Sequence, residues 1–136
     1  MPQSNKSWYE VKAIANGNAE ISIHDEIGAW GVSAKQFNKE LAAVGKVNEL
    51  HIHFNTPGGN VIDGMAIYNM LKAHPAKKFG YVDGIAASMG SFILMAMDEV
   101  HTPVNSLIMI HMPRGPAFGT ADDLKKTVSL LEKLEG

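Results

Sequence analysis

Leu50-His51-Ile52-His53-Phe54 alternates apolar and polar residues, the period of a strand with one buried face. It runs into Asn55-Thr56-Pro57-Gly58-Gly59, a dense cluster of turn-forming residues, and from residue 61 to about 73 the spacing becomes helical. Strand, glycine-rich turn and helix in that order constrain the fold more than any other feature, because this is the repeating unit of an α/β domain. The order recurs on both sides. Ala19, Ile21 and Ile23 alternate with Glu20 and Ser22 and predict a strand, stopped by Gly31-Val32-Ser33. Ser33 with Gln36 three residues later is a capping-box pattern for a helix through about Val44, with Gly45 as its C-cap. His74-Pro75 closes the central helix.

Further along, residues 79–83 predict a short strand that Gly84 breaks. Residues 86–97 are long enough for a helix and apolar nearly all round, so that helix is expected to be buried. Residues 99–102 and 107–110 read as strands. Thr120 with Asp123 caps a last helix whose apolar stripe is Leu124, Val128, Leu131 and Leu134. That stripe needs a partner, either this core or another subunit.

A chain of 136 residues supports one domain with a real core. Its net charge of −2 gives no electrostatic reason to expect nucleic acid as a partner. With no cysteine, disulfides, thiolate metal sites and cysteine nucleophiles are excluded together. The polar start, MPQSNKSWYEVKA, has no apolar core of a signal peptide. The longest apolar run, residues 92–97, is far short of the roughly 18 residues needed to span a bilayer. The expectation is a soluble intracellular protein with no membrane partner. Eight methionines are many for this length and suit an adaptable surface or groove.

Three segments carry possible chemistry. Pro57-Gly58-Gly59 joins a strand to a helix, where backbone N–H groups beside a helix N-terminus can receive an anion; a plain tight turn is the structural alternative. Ser88, between Ala86-Ala87 and Met89-Gly90, is expected in the first turn of a helix, where its own N–H and that of Met89 lack helical partners. It does not match the G-x-S-x-G elbow, because Ala86 stands two residues before it, and a small residue filling a tight helix start is the alternative. His111 ends a predicted strand and is followed by Met112-Pro113, which places an imidazole at a strand edge; histidine is the usual base for a serine, but a structural histidine also fits. His51 and His53 share one strand face and read as its polar side rather than as metal ligands, so no metal and no cofactor is expected. Trp8, Tyr9 and Trp30 read as packing residues, and His24, His74 and His101 carry no motif.

Taken together, "FNTPGGNVIDGMAIYNML" (54–71), "GIAASMGSFILMA" (84–96) and "NSLIMIHMPRGPAFGTADDL" (105–124) resemble the motifs of ClpP-type serine peptidases, in the same order. Gly59 precedes Ser88 by 29 positions, and Ser88 precedes His111 by 23. "DEIGAWG" and "AIYNMLKAHPAKKFGYVDG" look most like the phage and prophage branch, the ClpP-related head maturation proteases. The resemblance implies an α/β fold of the ClpP/crotonase type, a spiral of β-β-α units. It divides the chain into a partly loose N-terminal segment, 1–18, and a ClpP-like peptidase domain, 19–136, with a head to about 113 and a handle-type helix at 120–135.

The resemblance also assigns roles. Ser88 would be the nucleophile, His111 the general base, and the N–H groups of Gly59 and Met89 the oxyanion hole. Peptide would lie extended along Gly58, Asn60 and Val61 and along Met112 and Pro113. A ring-forming homo-oligomer in the bacterial cytoplasm, phage or prophage encoded and working without an ATPase on capsid or scaffold proteins, is the implied setting. The family's third catalytic group, an aspartate beyond the handle helix, has no counterpart at Asp83, Asp98, Asp122 or Asp123, and only 25 residues follow His111. The expectation is therefore a C-terminally incomplete chain, weak or inactive as a peptidase, since loss of the triad aspartate alone costs about 10⁴ in kcat. The alternatives are a non-catalytic oligomerisation module and, further off, a crotonase-type acyl-CoA enzyme.

Overall fold

The structure is a computed structural model that describes residues 7–28, 33–110 and 120–135. Its six strands form one mixed sheet: β1 (Tyr9–Ile14), β2 (Asn18–Ile27), β3 (Glu49–Gly59), β4 (Lys77–Ala87), β5 (Glu99–His101) and β6 (Leu107–Met109). The spatial order is β1-β2-β3-β4, and β5 and β6 lie end to end along the outer edge of β4. Among the described strands only β1 runs antiparallel to its neighbour, and the other pairings are parallel. Parallel neighbours need crossovers, supplied by α1 (Ala34–Ala43), α2 (Val61–Ala73) and α3 (Met89–Leu94). The last helix, α4, spans Ala121–Glu135.

Capping residues set the helix ends. Ser33 accepts from the Gln36 N–H at 3.3 Å, as the capping-box pattern predicts. Gly45 takes φ +80 after α1 and donates to the Ala42 carbonyl. Asn60 caps α2 by accepting from the Asp63 N–H at 2.9 Å, while Asp63 accepts from the Ala34 N–H at 3.0 Å and so joins the starts of α1 and α2. Thr120 and Asp123 cap α4 reciprocally: the Thr120 N–H donates to the Asp123 carboxylate, and the Asp123 N–H donates to the Thr120 hydroxyl. The Thr120 N–H, and after it the Thr120 hydroxyl, hold the Asp123 carboxyl below the usual carboxylate range.

The inward face of the sheet meets the helices. Ile21, Ile23, Leu50, Ile52, Phe54 and Val82 from the strands pack with Phe37, Ile67, Leu71 and Ile93 from the helices, all fully buried. Trp8 and Tyr9 join this core and lie against Phe37. Sequence reasoning placed no strand before residue 19. β1 exists because Tyr9–Ile14 lies along the edge of β2 while Tyr9, and Trp8 just before the strand, are buried. Burial, with the Glu40 carboxylate bonded to its hydroxyl, pushes the Tyr9 phenol above its usual range.

Two strands run further than predicted. β3 continues through all of Asn55–Gly59, and β4 runs past Gly84 to Ala87. Each is flanked by a parallel neighbour, with Ile27 opposite Gly59 and Thr56 opposite Ala86, and that tertiary pairing overrides the local turn preference. The buried helix expected over 86–97 is correspondingly shorter: α3 begins at Met89 and ends at Leu94. No described helix is long and apolar enough to cross a membrane.

Candidate active site

Ser88 is the single residue between β4 and α3, not a member of the first helical turn. Its backbone sits at φ +55, ψ −120, a conformation that costs a non-glycine residue about 1–3 kcal/mol and that clusters at functional sites. The chain therefore makes a sharp strand-to-helix elbow at Ser88 although the full G-x-S-x-G pattern is absent. Gly90 supplies the downstream small residue, and Ala86, fully buried, stands in for the upstream one. Ser88 itself is only partly buried, although Ala87 and Met89 on either side of it are buried.

Its hydrogen bonding differs from the expectation. The Ser88 N–H is not a free donor: it donates to the Met109 carbonyl of β6 at 2.9 Å. The Ser88 carbonyl accepts from the Phe92 N–H and from the Ser91 hydroxyl, which anchors the elbow to α3. The Met89 N–H begins α3, where helical donors have no partner within the helix.

Gly58 and Gly59 reach this corner from β3. Both have left-handed φ, +104 and +149. A Cβ on Gly58 would fall 2.7 Å from the Ser88 Cβ and 3.1 Å from the Met89 nitrogen, so the bare backbone of Gly58 forms one wall of the serine's surroundings. A Cβ on Gly59 would fall 2.2 Å from the Ile27 carbonyl oxygen, so Gly59 is required by packing against β2. β3 and β4 pair only as far as Thr56 opposite Ala86; beyond that point Gly58 faces the Ser88 elbow. Asn60, with extended backbone, is the N-cap of α2 and donates its N–H to the Ile27 carbonyl, while Val61 opens the helix. His111, Met112 and Pro113 lie outside the described residues.

Sequence reasoning missed Thr56. It stopped the alternation at Phe54, yet continuing by twos puts Thr56 and Gly58 on the inward face with Leu50, Ile52 and Phe54. A threonine in an otherwise apolar inward series is a readable signal, because a buried hydroxyl needs partners.

On the outward face His51, His53, Phe79, Tyr81 and His101 stack across β3, β4 and β5, with near-parallel rings 4.8–5.8 Å apart. Glu49, Asp83 and Glu99 each pair with one of the three histidines. This is the polar strand face that the alternation implies. No group of three or more His, Asp or Glu among the described residues is placed to hold a metal.

The sequence and the fold match known proteins. The Clp protease family profile matches residues 3–136, and the chain belongs to that family. It is similar to the ATP-dependent Clp protease proteolytic subunit 1 of Corynebacterium jeikeium, 37% identical over 86 residues that cover 62% of this chain and 46% of that protein. A protein of the same description from Leifsonia xyli is 32% identical over 93 residues, 67% of this chain and 47% of the relative. Among solved structures, a ClpP1 mutant from Listeria monocytogenes superposes with a TM-score of 0.68 at 26% identity, covering 83% of this chain and 66% of that one. The α/β fold with its mixed sheet is thus of the ClpP type, and the chain spans about half the length of the curated relatives it matches.

Proposed function

We propose that this chain is a serine endopeptidase in which the Ser88 hydroxyl attacks a peptide carbonyl and His111 takes its proton. The observation that carries this reading is the Ser88 elbow, a strained residue at a strand-to-helix turn facing bare glycine backbone, in a member of the Clp protease family. Attack converts the planar carbonyl to a tetrahedral oxyanion, and stabilising it needs preorganised donors. The N–H groups of Met89 and Gly59 are the donors assigned here; the contact of neighbouring Gly58 with Ser88 and Met89 supports that assignment. His111 then returns its proton to the leaving amine, and water hydrolyses the acyl-enzyme. Peptide lies beside Gly58–Val61 and the Met112-Pro113 stretch.

The setting proposed is a homo-oligomeric ring, with α4 as a subunit contact. Leu124 and Val128 on its stripe are exposed in the single chain, which supports a partner outside this core. The substrate class proposed is phage capsid or scaffold protein, cut without an ATPase in the host cytoplasm; the 25–31 and 66–84 sequence stretches support that branch.

Treatment with a fluorophosphonate followed by mass spectrometry tests the reaction class. Covalent labelling at Ser88, slow because the chain carries no triad aspartate and lost in Ser88→Ala, is expected; labelling elsewhere instead, or none even at long exposure, overturns it. Co-expression with a capsid or scaffold protein tests the substrate class, where a cleavage lost in Ser88→Ala is the expected result.

A further inference from the structure

Thr56 is completely buried, and both ends of its side chain reach the serine's corner. Its hydroxyl donates to the Asp25 carbonyl and accepts from the Gly58 N–H at 3.1 Å. A hydroxyl has one proton to give. The Gly58 carbonyl, at 3.4 Å, is the more distant of the two acceptors, so the hydroxyl directs its proton to the Asp25 carbonyl. The Asp25 carbonyl is available because β2 bulges there: the register with β3 shifts between His24 and Glu26, and Asp25 takes φ +54. The Thr56 methyl meets the other wall. A Cβ on Gly90 would lie 2.6 Å from the Thr56 Cγ2, so that methyl rests against the first turn of α3.

Gly58 lies against the Ala87 carbonyl, the Ser88 Cβ and the Met89 nitrogen, and Gly90 is two residues past Ser88. One side chain therefore touches both pieces of backbone that flank the serine. We propose that Thr56 is a positioning residue: its hydroxyl ties Gly58 to the β2 bulge, which sets the Gly58-Gly59 backbone relative to Ser88, and its methyl sets the start of α3, which carries the Met89 N–H. This rests on the serine-peptidase reading given above.

Two variants split the side chain. Thr56→Val keeps the methyl and removes the hydroxyl; Thr56→Ser does the reverse. In Thr56→Val the Gly58 amide, having lost its acceptor, exchanges with solvent at least about tenfold faster, and the Ser88 and Met89 amide resonances shift, while the Leu50–Phe54 amides keep their protection. Fluorophosphonate labelling of Ser88 slows about 10–100-fold, and peptide hydrolysis loses that factor in kcat with KM within about twofold, as expected for a misplaced oxyanion donor. Thr56→Ser restores the Gly58 protection and most of the rate. Unchanged Gly58 exchange in Thr56→Val, an equal loss in both variants, or a loss confined to KM overturns the proposal. If wild-type Ser88 proves unreactive, the peptidase reading fails, and the amide measurements, which need no turnover, still decide the tether. If Thr56→Val does not fold, Thr56→Ser decides it alone: a Gly58 amide that loses protection with the hydroxyl retained refutes it.

Discussion

Ala86 and Ile108 are directly paired across β4 and β6, yet they belong to different worlds. Ala86 is fully buried beneath α3, two residues before Ser88. On the other side of the pairing Leu107 is 54% exposed and Ile110 is 75% exposed, with Val100, Val104, Ile108 and Met109 also open to solvent. The corner around Ser88 is thus built by the core: β2, β3, β4 and α3 leave no room at Gly58, Gly59 or Gly90 for even a methyl group. The strand leading towards His111 is held by three register pairs and the Ser88–Met109 hydrogen bond, with an apolar surface facing outward. Contiguous exposed apolar residues of this kind mark an interaction surface. Ser88 is positioned by packing within the chain, while the strand that precedes His111 presents an exposed apolar surface suited to being covered.

The largest expected effect separates chemistry from packing. Ser88→Ala abolishes labelling and peptide cleavage altogether, while thermal unfolding shows the fold retained; residual cleavage equal to wild type would place the nucleophile elsewhere. Next comes the core itself. Phe54→Ala, fully buried on the inward face of β3, is expected to cost about 3–5 kcal/mol in urea unfolding. Gly58→Ala probes the glycine wall: strain at φ +104 and collision with Ser88 together cost at least about 2 kcal/mol, and labelling falls with stability. A variant of normal stability would show that the wall can yield.

A smaller effect concerns His74 at the end of α2. Burial, then the Lys78 ammonium, hold its imidazole below the ordinary 6.5. Lys78, itself buried, already donates to the His74 and Ala76 carbonyls at the helix end. As pH falls the unfolded chain takes up the His74 proton before the folded chain does, so stability is present above about 6.5 and declines below it. The urea midpoint of His74→Gln should fall less than that of wild type between about pH 7 and about pH 5. The smallest effect lies on the exposed side: Val104→Ala, at 101% exposure, should change stability by no more than about 0.5 kcal/mol. A larger loss in a monomeric sample would show that the apolar surface is already covered.

Much of this could be read from the chain. The capping residues Ser33 and Thr120, the end of α1 at Gly45 and the span of α2 all follow from patterns three or four residues long, and the structure has them in place. The strand centres followed from alternation by twos. The misses share one cause. Asn55–Gly59 is locally a turn and Gly84 is locally a breaker, but each lies in a strand because parallel partners flank it. β1 was missed because its burial rests on Trp8 and Tyr9 meeting Phe37, about thirty residues away.

The sequence by itself determined the alternation of strands and helices, the capped ends, and the junction at which Ser88 had to fall. These depend on residues close along the chain, where hydrogen-bond period and side-chain period are encoded together. Tertiary structure alone decided that Ser88 would be the strained elbow, that its N–H would be spent on Met109, and that Thr56 would bridge Asp25 and Gly58 beside it. Those outcomes depend on the register of parallel strands joined by whole crossover helices, and no local pattern of residues specifies that register.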